Sequence, residues 1–155
     1  MVKSTKIIII IILLILFIWI FDIFKSNKSL EKSLQKTKIK INDKVINAYI
    51  VDNPATRSRG LSIFNSIKED EGMLFLFPED NKSKKIGIWM LGMKFDIDII
   101  WIKDNKIIRI EKNAPYPRNI TIKSYNPNEL ANVVLEVSAG FTDKNNIKIG
   151  DIINY

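Results

Sequence analysis

The chain begins with an almost unbroken apolar run. Aliphatic and aromatic residues fill positions 7–21, and after a single Asp22 the run closes with Ile23 and Phe24. As an α-helix the 18 residues from 7 to 24 would extend about 27 Å, close to the thickness of a bilayer's hydrocarbon core. The run has no polar stripe at helical spacing, which a helix packed on a soluble core would show. The pattern therefore predicts a transmembrane helix.

This helix is expected to stay attached to the chain. The residues that follow it contain no Ala-x-Ala cleavage pattern, and the chain has no cysteine for a lipid anchor. We therefore interpret residues 1–24 as an N-terminal anchor. Residues 25–37 follow as a lysine-rich linker, a flexible or weakly helical tether that can lie on anionic headgroups.

The orientation of the anchor depends on lysines at both of its ends. Lys3 and Lys6 precede the apolar run, whereas five lysines follow it between residues 25 and 38. A literal count under the positive-inside rule keeps the following domain in the cytoplasm, but a lysine-led apolar run at the N-terminus is typical of a signal anchor that exports it. We expect a single-pass membrane protein with an extracytoplasmic domain.

From Lys38 onward the pattern changes to short alternating runs separated by turn residues, which is typical of a β-domain. The clearest hairpin is "KFDIDIIWIKDNKIIRIEKN", in which Asp104-Asn105 forms the turn. A second turn is expected at Asn42-Asp43. Other predicted strands are "KIKIN", "DKVINAYIVD", "GMLFLF", "KIGIWM", "ITIK", "NVVLEVSAG" and "IKIGDIIN".

One short helix is predicted between the second and third of these strands. Asn53 can cap it and Pro54 suits its first position, while Gly60 weakens its middle. The segment "PEDNKSKK" has nothing to bury and is expected to be an exposed loop. For residues 38–155 we therefore predict an all-β fold, a jelly-roll-like sandwich or a partly closed barrel, with one short helix.

Composition narrows the possible chemistry. The chain has no cysteine and no histidine, which excludes disulfides, Cys or His zinc sites, thiol nucleophiles and a Ser-His-Asp triad. No cofactor or metal site is predicted. The net charge of +7 comes from scattered lysines without a groove-reading motif, so nucleic acid is not an expected partner.

The order of several motifs resembles a known family. "TRSRGL", "GMLFLF", "IWM" with "DIDIIWI", "NAPYP", "VLEVSAG" and a late "IGD" are together similar to the small prokaryotic proteins called domain of unknown function 192. The resemblance implies a single β-rich domain of jelly-roll or barrel character, often exported, with no established activity. The chain departs from the family pattern at Ser62, where Met is usual, and at Leu91-Gly92-Met93, where a Lys-Asn-Thr run is usual.

The charged candidates for a site fall into three groups, each with a structural alternative. Arg57 and Arg59 could clamp an anionic ligand, or brace the helix against a strand. Asp96 and Asp98 alternate with apolar residues. They could act as a paired general acid and base, or they could simply lie on the solvent-facing side of a strand. Glu136 lies among strong strand formers, so an inward side chain would need an arginine partner or would mark a site.

Two further groups of residues are weaker candidates. Asn113 lies in "NAPYP", a loop at the rim of the domain where binding residues often collect. Aromatic side chains could form a platform for a sugar or peptide, although core packing is the usual role of tryptophan on an apolar strand. These side chains are Trp89, Trp101, Tyr116, Tyr125 and Phe141.

Three functions remain open at this point. The first is a membrane-anchored β-domain that binds a small ligand, glycan or peptide at the cell envelope. The second is a hydrolase of envelope polysaccharide that uses two carboxylates drawn from Asp96, Asp98 and Glu136. The third is a structural or assembly partner of another envelope protein.

Overall fold

The structure is a computed structural model that describes residues 2–77, 85–119 and 122–155, with side chains from residue 6 onward. The chain divides into two compact units between Ser33 and Leu34. The first unit is a single helix, α1 (Val2–Ser33). It therefore includes most of the predicted linker as helix.

Helix α1 is long and apolar enough to cross a membrane, judged by its length and composition from Lys6 to Ser33. A signal sequence near an N-terminus satisfies the same two criteria. Whether α1 anchors the protein therefore remains a prediction.

The second unit is mostly β-structure with short helices. Its elements are β1 (Lys36–Ile41), β2 (Lys44–Val51), α2 (Pro54–Arg59), a 3₁₀ turn (Gly60–Ile63), β3 (Glu71–Leu76), β4 (Ile88–Trp89), β5 (Ile97–Lys103), β6 (Lys106–Ala114), β7 (Ser124–Tyr125), β8 (Val133–Ser138), α3 (Phe141–Lys144) and β9 (Ile153–Asn154).

Seven of these strands form one sheet in the order β6-β5-β8-β3-β2-β1-β9. Neighbours are antiparallel except β2 and β3, which are parallel because α2 and the 3₁₀ turn cross between them. An isolated antiparallel β-bridge pairs Lys106, the first residue of β6, with Ile152, the residue directly before β9. The seven-stranded sheet is a half-barrel, which agrees with the barrel alternative. β4 and β7 form a separate two-stranded antiparallel sheet.

Both faces of the half-barrel are covered. The inner face holds the main apolar cluster, which includes Leu74, Ile100 and Leu135. The outer face lies under α2, the 3₁₀ turn and the β4 segment. Buried residues from these covering parts are Leu61, Ile63, Phe64, Ile86, Ile88, Met90 and Met93.

The tight turns form where turn chemistry predicted them. Asn42 has φ of 55°, and Asp104 and Asn105 have φ of 50° and 63°. At Asp104-Asn105 both central residues have positive φ, which matches the twist of a two-residue hairpin, and Asn and Asp tolerate it well.

Other elements differ from the prediction. A second short helix, α3, lies in "FTDKNN", which was expected to be a loop, so the prediction of one helix was wrong. "KIGIWM" and "IKIGDIIN" each contribute only two strand residues, because much of each segment packs as irregular chain. Most of the predicted "PEDNKSKK" loop and the first half of "ITIK" lie outside the described residues.

Candidate functional site: a cavity over a buried carboxyl group

Glu136 lies at the centre of the outer face of the sheet. It is the fourth residue of β8 and is paired with Met73 on one side and Ile99 on the other. Residues directly opposite on neighbouring strands point to the same side of a sheet, so the side chain of Glu136 stands between two apolar ones. It is 4% exposed.

Above Glu136 lies a cavity of about 190 Å³, between the sheet and the segments that cover it. Helix α2 contributes Arg57, Ser58 and Arg59 to the wall, and Glu136 is the lining residue from β8. The remaining lining residues are mostly apolar: Gly60, Leu61, Phe75, Phe77, Gly87, Ile88, Trp89, Leu91 and Met93.

Within the described part of the chain, no side chain or backbone group forms a hydrogen bond or ion pair with the Glu136 carboxyl group. Burial raises the pKa of Glu136 from an ordinary 4.5 to about 8, because a carboxylate loses its hydration when it is removed from water. At neutral pH the group is therefore mainly a neutral carboxylic acid, able to donate one hydrogen bond and to accept others. Since a buried polar group without a partner is costly, the arrangement is unusual for a purely structural residue.

Arg57 braces α2 against the sheet. Its Nη1 donates to the backbone oxygens of Asp52, at 2.6 Å, and Leu76, at 2.9 Å, and its guanidinium lies 4.9 Å from the centre of the Phe77 ring. These acceptors lie at the ends of β2 and β3, so Arg57 fixes the helix over the parallel pair. Arg57 therefore braces α2 through backbone carbonyls and not through a carboxylate, and its role as a ligand-binding residue stays a prediction.

Asp98 lies on the inner face and is fully buried. Its Oδ1 accepts from the backbone N–H groups of Asn113, at 2.8 Å, and Gly140, at 3.1 Å. Its Oδ2 accepts from the backbone N–H of Thr142, at 2.9 Å, and from the Thr142 hydroxyl, at 2.6 Å. Four donors therefore hold this carboxylate, and it ties the end of β6 and the start of α3 to β5.

Asp96 and Asn113 lie beside Asp98, directly before β5 and near the end of β6. Asp96 Oδ1 accepts from the backbone N–H of Tyr116 at 2.9 Å, and Asn113 has φ of 52°. Asn113 was predicted in a loop, but it lies in β6, at a β-bulge opposite Asp98. Its backbone N–H donates to Asp98, and Asp96 holds the chain that follows at Tyr116.

Comparison with known proteins bears directly on this domain. A family model described as DUF192, uncharacterized ACR, matches residues 37–155. The chain belongs to the domain of unknown function 192 family. A comparison with curated proteins found no match.

Two solved structures share the fold of this DUF192 domain. A protein of unknown function from Novosphingobium aromaticivorans DSM 12444 has a TM-score of 0.70 at 23% identity, over 79% of this chain and 86% of that one. A candidate transcription regulator from Sinorhizobium meliloti 1021 has a TM-score of 0.65 at 23% identity, over 79% of this chain and 95% of that one. At this identity the similarity establishes the fold.

The charged candidates in the DUF192 domain do not form one site. Asp98 is paired with Val137 and Glu136 with Ile99, and successive residues of a strand point to opposite faces. Asp98 therefore faces the inside of the half-barrel and Glu136 the outside. The structure brings Arg57, Arg59 and Glu136 around one cavity, and it places Asp96, Asp98 and Asn113 in a separate hydrogen-bonded cluster.

The aromatic candidates are also dispersed. Trp101 is buried and its Nε1 donates to the backbone oxygen of Ile86 at 2.8 Å, which agrees with a core role. Tyr125 and Phe141 are buried as well, whereas Trp89 is 52% exposed at the cavity. Only Trp89 of the five lines the cavity.

Several cavity residues were not predicted as site residues. Leu91 and Met93 line it, and both lie in the stretch where the chain departs from the family pattern. That departure was the one available signal. The apolar wall made by Phe75 and Phe77 was interpreted as core, because an apolar strand gives no sign that a cavity lies against it.

Proposed function

We propose that this DUF192 domain binds a small ligand in the cavity over Glu136. The observation that carries the proposal is a buried carboxyl group, unpaired within the described part of the chain, that faces a cavity with an apolar wall and two arginines. Ligand sites are commonly apolar clefts with a few convergent polar groups, one of which has a perturbed pKa. A ligand that hydrogen-bonds to Glu136 would satisfy the group that the protein leaves without a partner.

The cavity's size favours a small molecule or a single side chain of a peptide over an extended glycan. Its volume of about 190 Å³ is below the roughly 300–1,000 Å³ of sites for drug-sized ligands. Trp89 and Leu91 are about half exposed beside it, so a peptide or sugar could extend over them from a group held inside.

The hydrolase hypothesis has less support from this geometry. Glycoside hydrolysis generally needs two carboxylates that face one bond, whereas Glu136 and Asp98 lie on opposite faces of the sheet. For the hypothesis of an assembly partner, residues 2–77, 85–119 and 122–155 supply no specific contact surface that the geometry singles out.

Binding is expected to raise the melting temperature of the full-length protein in detergent, tested with a panel of small carboxylates, amines and monosaccharides. Arg59→Gln should abolish the rise relative to the same variant without ligand, because Arg59 lies in the cavity wall at the end of α2 and the substitution removes its charge. The same ligand should change the fluorescence of Trp89, and Trp89→Phe should remove that change. An equal rise in the Arg59→Gln protein and an unchanged Trp89 signal would place the ligand elsewhere.

We further propose that α1 anchors the domain in a membrane and that the domain faces the cell envelope. The length and apolar composition of α1 support the anchor, and the lysines before the apolar run support a signal anchor. A reporter that is active only outside the cytoplasm, fused after Tyr155, is expected to give signal. Silence with an intact fusion, together with activity of a cytoplasmic reporter at the same position, would contradict this orientation.

A further inference from the structure

Glu136 is the polar group that the described residues place at the inner end of the cavity. Met73 and Ile99 flank Glu136 on the sheet, and the β4 segment contributes Gly87 and Ile88 to the wall, none of which is titratable. Among the described residues that line the cavity, the charged ones are Arg57, Arg59 and Glu136. Among the described residues of this inner end, the Glu136 carboxyl group is therefore the one that can become negatively charged.

The two arginines do not neutralise Glu136. A guanidinium in close contact would lower the pKa of a carboxyl group, yet that of Glu136 is raised, and burial is the cause. Arg57 instead donates to two backbone oxygens through one nitrogen. Since a guanidinium has five N–H donors, it keeps further donors for a ligand.

The cavity thus combines an acidic inner end, apolar walls and basic residues on α2. We propose that its ligand is a small zwitterion with an apolar side chain, of the free amino acid type, whose ammonium group contacts Glu136 and whose carboxylate contacts Arg57 and Arg59. This inference rests on the proposed function, because it names the class of ligand for that cavity. An ammonium group pairs with the buried carboxylate, and the guanidinium fork matches a carboxylate.

Binding of this kind releases a proton. In the empty cavity at pH 7 the Glu136 carboxyl group is mainly neutral, and beside a ligand ammonium it is ionised. The carboxyl group loses its proton to solvent, and the ligand keeps the proton on its nitrogen. The exchange is close to one proton for each ligand bound, and it needs no co-reactant.

Three matched probes test the proposal on the full-length protein in detergent. Leucine carries both charges, isocaproate lacks the amine and isoamylamine lacks the carboxylate, while all three share the same branched side chain. Calorimetry at pH 7 in phosphate and in Tris, which differ in ionisation enthalpy, measures affinity and proton release together. We expect leucine to bind at least tenfold more tightly than either single-charge probe and to release close to one proton.

Glu136→Gln is the matched variant, because glutamine keeps the size and hydrogen bonding of the neutral acid and cannot ionise. Leucine affinity should fall at least tenfold in this variant and the proton release should vanish. Proton release in the unmodified protein tests the proposal without any variant. Equal affinity for isocaproate or isoamylamine, absence of proton release, or failure of leucine to bind would each overturn it.

The proposed function fails by a different result. If isocaproate or a neutral panel compound binds and changes Trp89 fluorescence while leucine does not, the cavity is a ligand site of another class. If no compound of the wider panel binds at Trp89, the proposed function fails as well.

Discussion

Glu136→Gln is expected to remove a fall in stability between about pH 5 and pH 8. In the unfolded chain Glu136 loses its proton near its ordinary pKa of 4.5, whereas in the folded domain it keeps the proton until about pH 8. Between those values the folded state binds one more proton than the unfolded state. The contribution of Glu136 to stability is therefore fully present below about pH 4.5 and is lost as the pH rises through 8, at roughly 1.4 kcal/mol per pH unit.

The measurement is urea denaturation of the full-length protein in detergent at a series of pH values, for the unmodified protein and the Glu136→Gln variant. Other titrating groups are shared, so the difference between the two curves isolates Glu136. We expect the variant to be the more stable protein above pH 8, by several kcal/mol, because it buries no charge. Parallel curves for the two proteins from pH 5 to 9 would show that Glu136 titrates normally in the folded domain.

Asp98→Ala is expected to cost roughly 3–5 kcal/mol of unfolding free energy, the range found when one partner of a buried, charged hydrogen-bonded group is removed. The substitution leaves the N–H groups of Asn113, Gly140 and Thr142 and the Thr142 hydroxyl without their acceptor. Urea denaturation at pH 7 measures the loss.

Asp96→Ala is the matched control for this prediction. Asp96 accepts one side-chain hydrogen bond, from the N–H of Tyr116, so its loss should cost about 1 kcal/mol. Equal small losses for both variants would mean that the four donors around Asp98 find other partners, and the cluster would not hold the loops as described.

Local sequence signals predicted the hairpins well. The turns at Asn42 and at Asp104-Asn105 depend on residues that tolerate positive φ, and the strands beside them alternate regularly. Such signals depend on residues that are neighbours in the chain, so they can be recognised in the sequence without knowledge of the tertiary structure. The resemblance to DUF192 supplied the rest of the β-domain in outline.

The interpretation of Asp98 as a solvent-facing residue was wrong, because its burial depends on the whole fold and not on the pattern of its own strand. Alternation along β5 is compatible with a solvent face, but this strand lies inside the sheet between β6 and β8 and is covered on both sides. Donors from residues 15, 42 and 44 positions later in the chain satisfy the carboxylate. A strand pattern alone cannot show contacts over such separations.

Glu136 was correctly singled out as an unusual buried carboxyl group, but the arginine partner expected for it is not observed among the described residues. A glutamate among β-branched residues was expected to need an arginine if it faced inward. The described structure provides an apolar setting and a cavity, because the pairing of β8 with β3 and β5 places Met73 and Ile99 beside it. The absence of a described partner is therefore a consequence of sheet register, which the sequence did not reveal.

Glu136 is a buried acid that faces a cavity and has no partner from the described chain. The most direct test is a carbon-13 NMR titration of the Glu136 carboxyl carbon in the full-length protein, assigned by comparison with Glu136→Gln. We expect a midpoint near pH 8, which moves downward when a ligand ammonium group occupies the cavity. A midpoint near the ordinary 4.5, unchanged by any ligand, would contradict it.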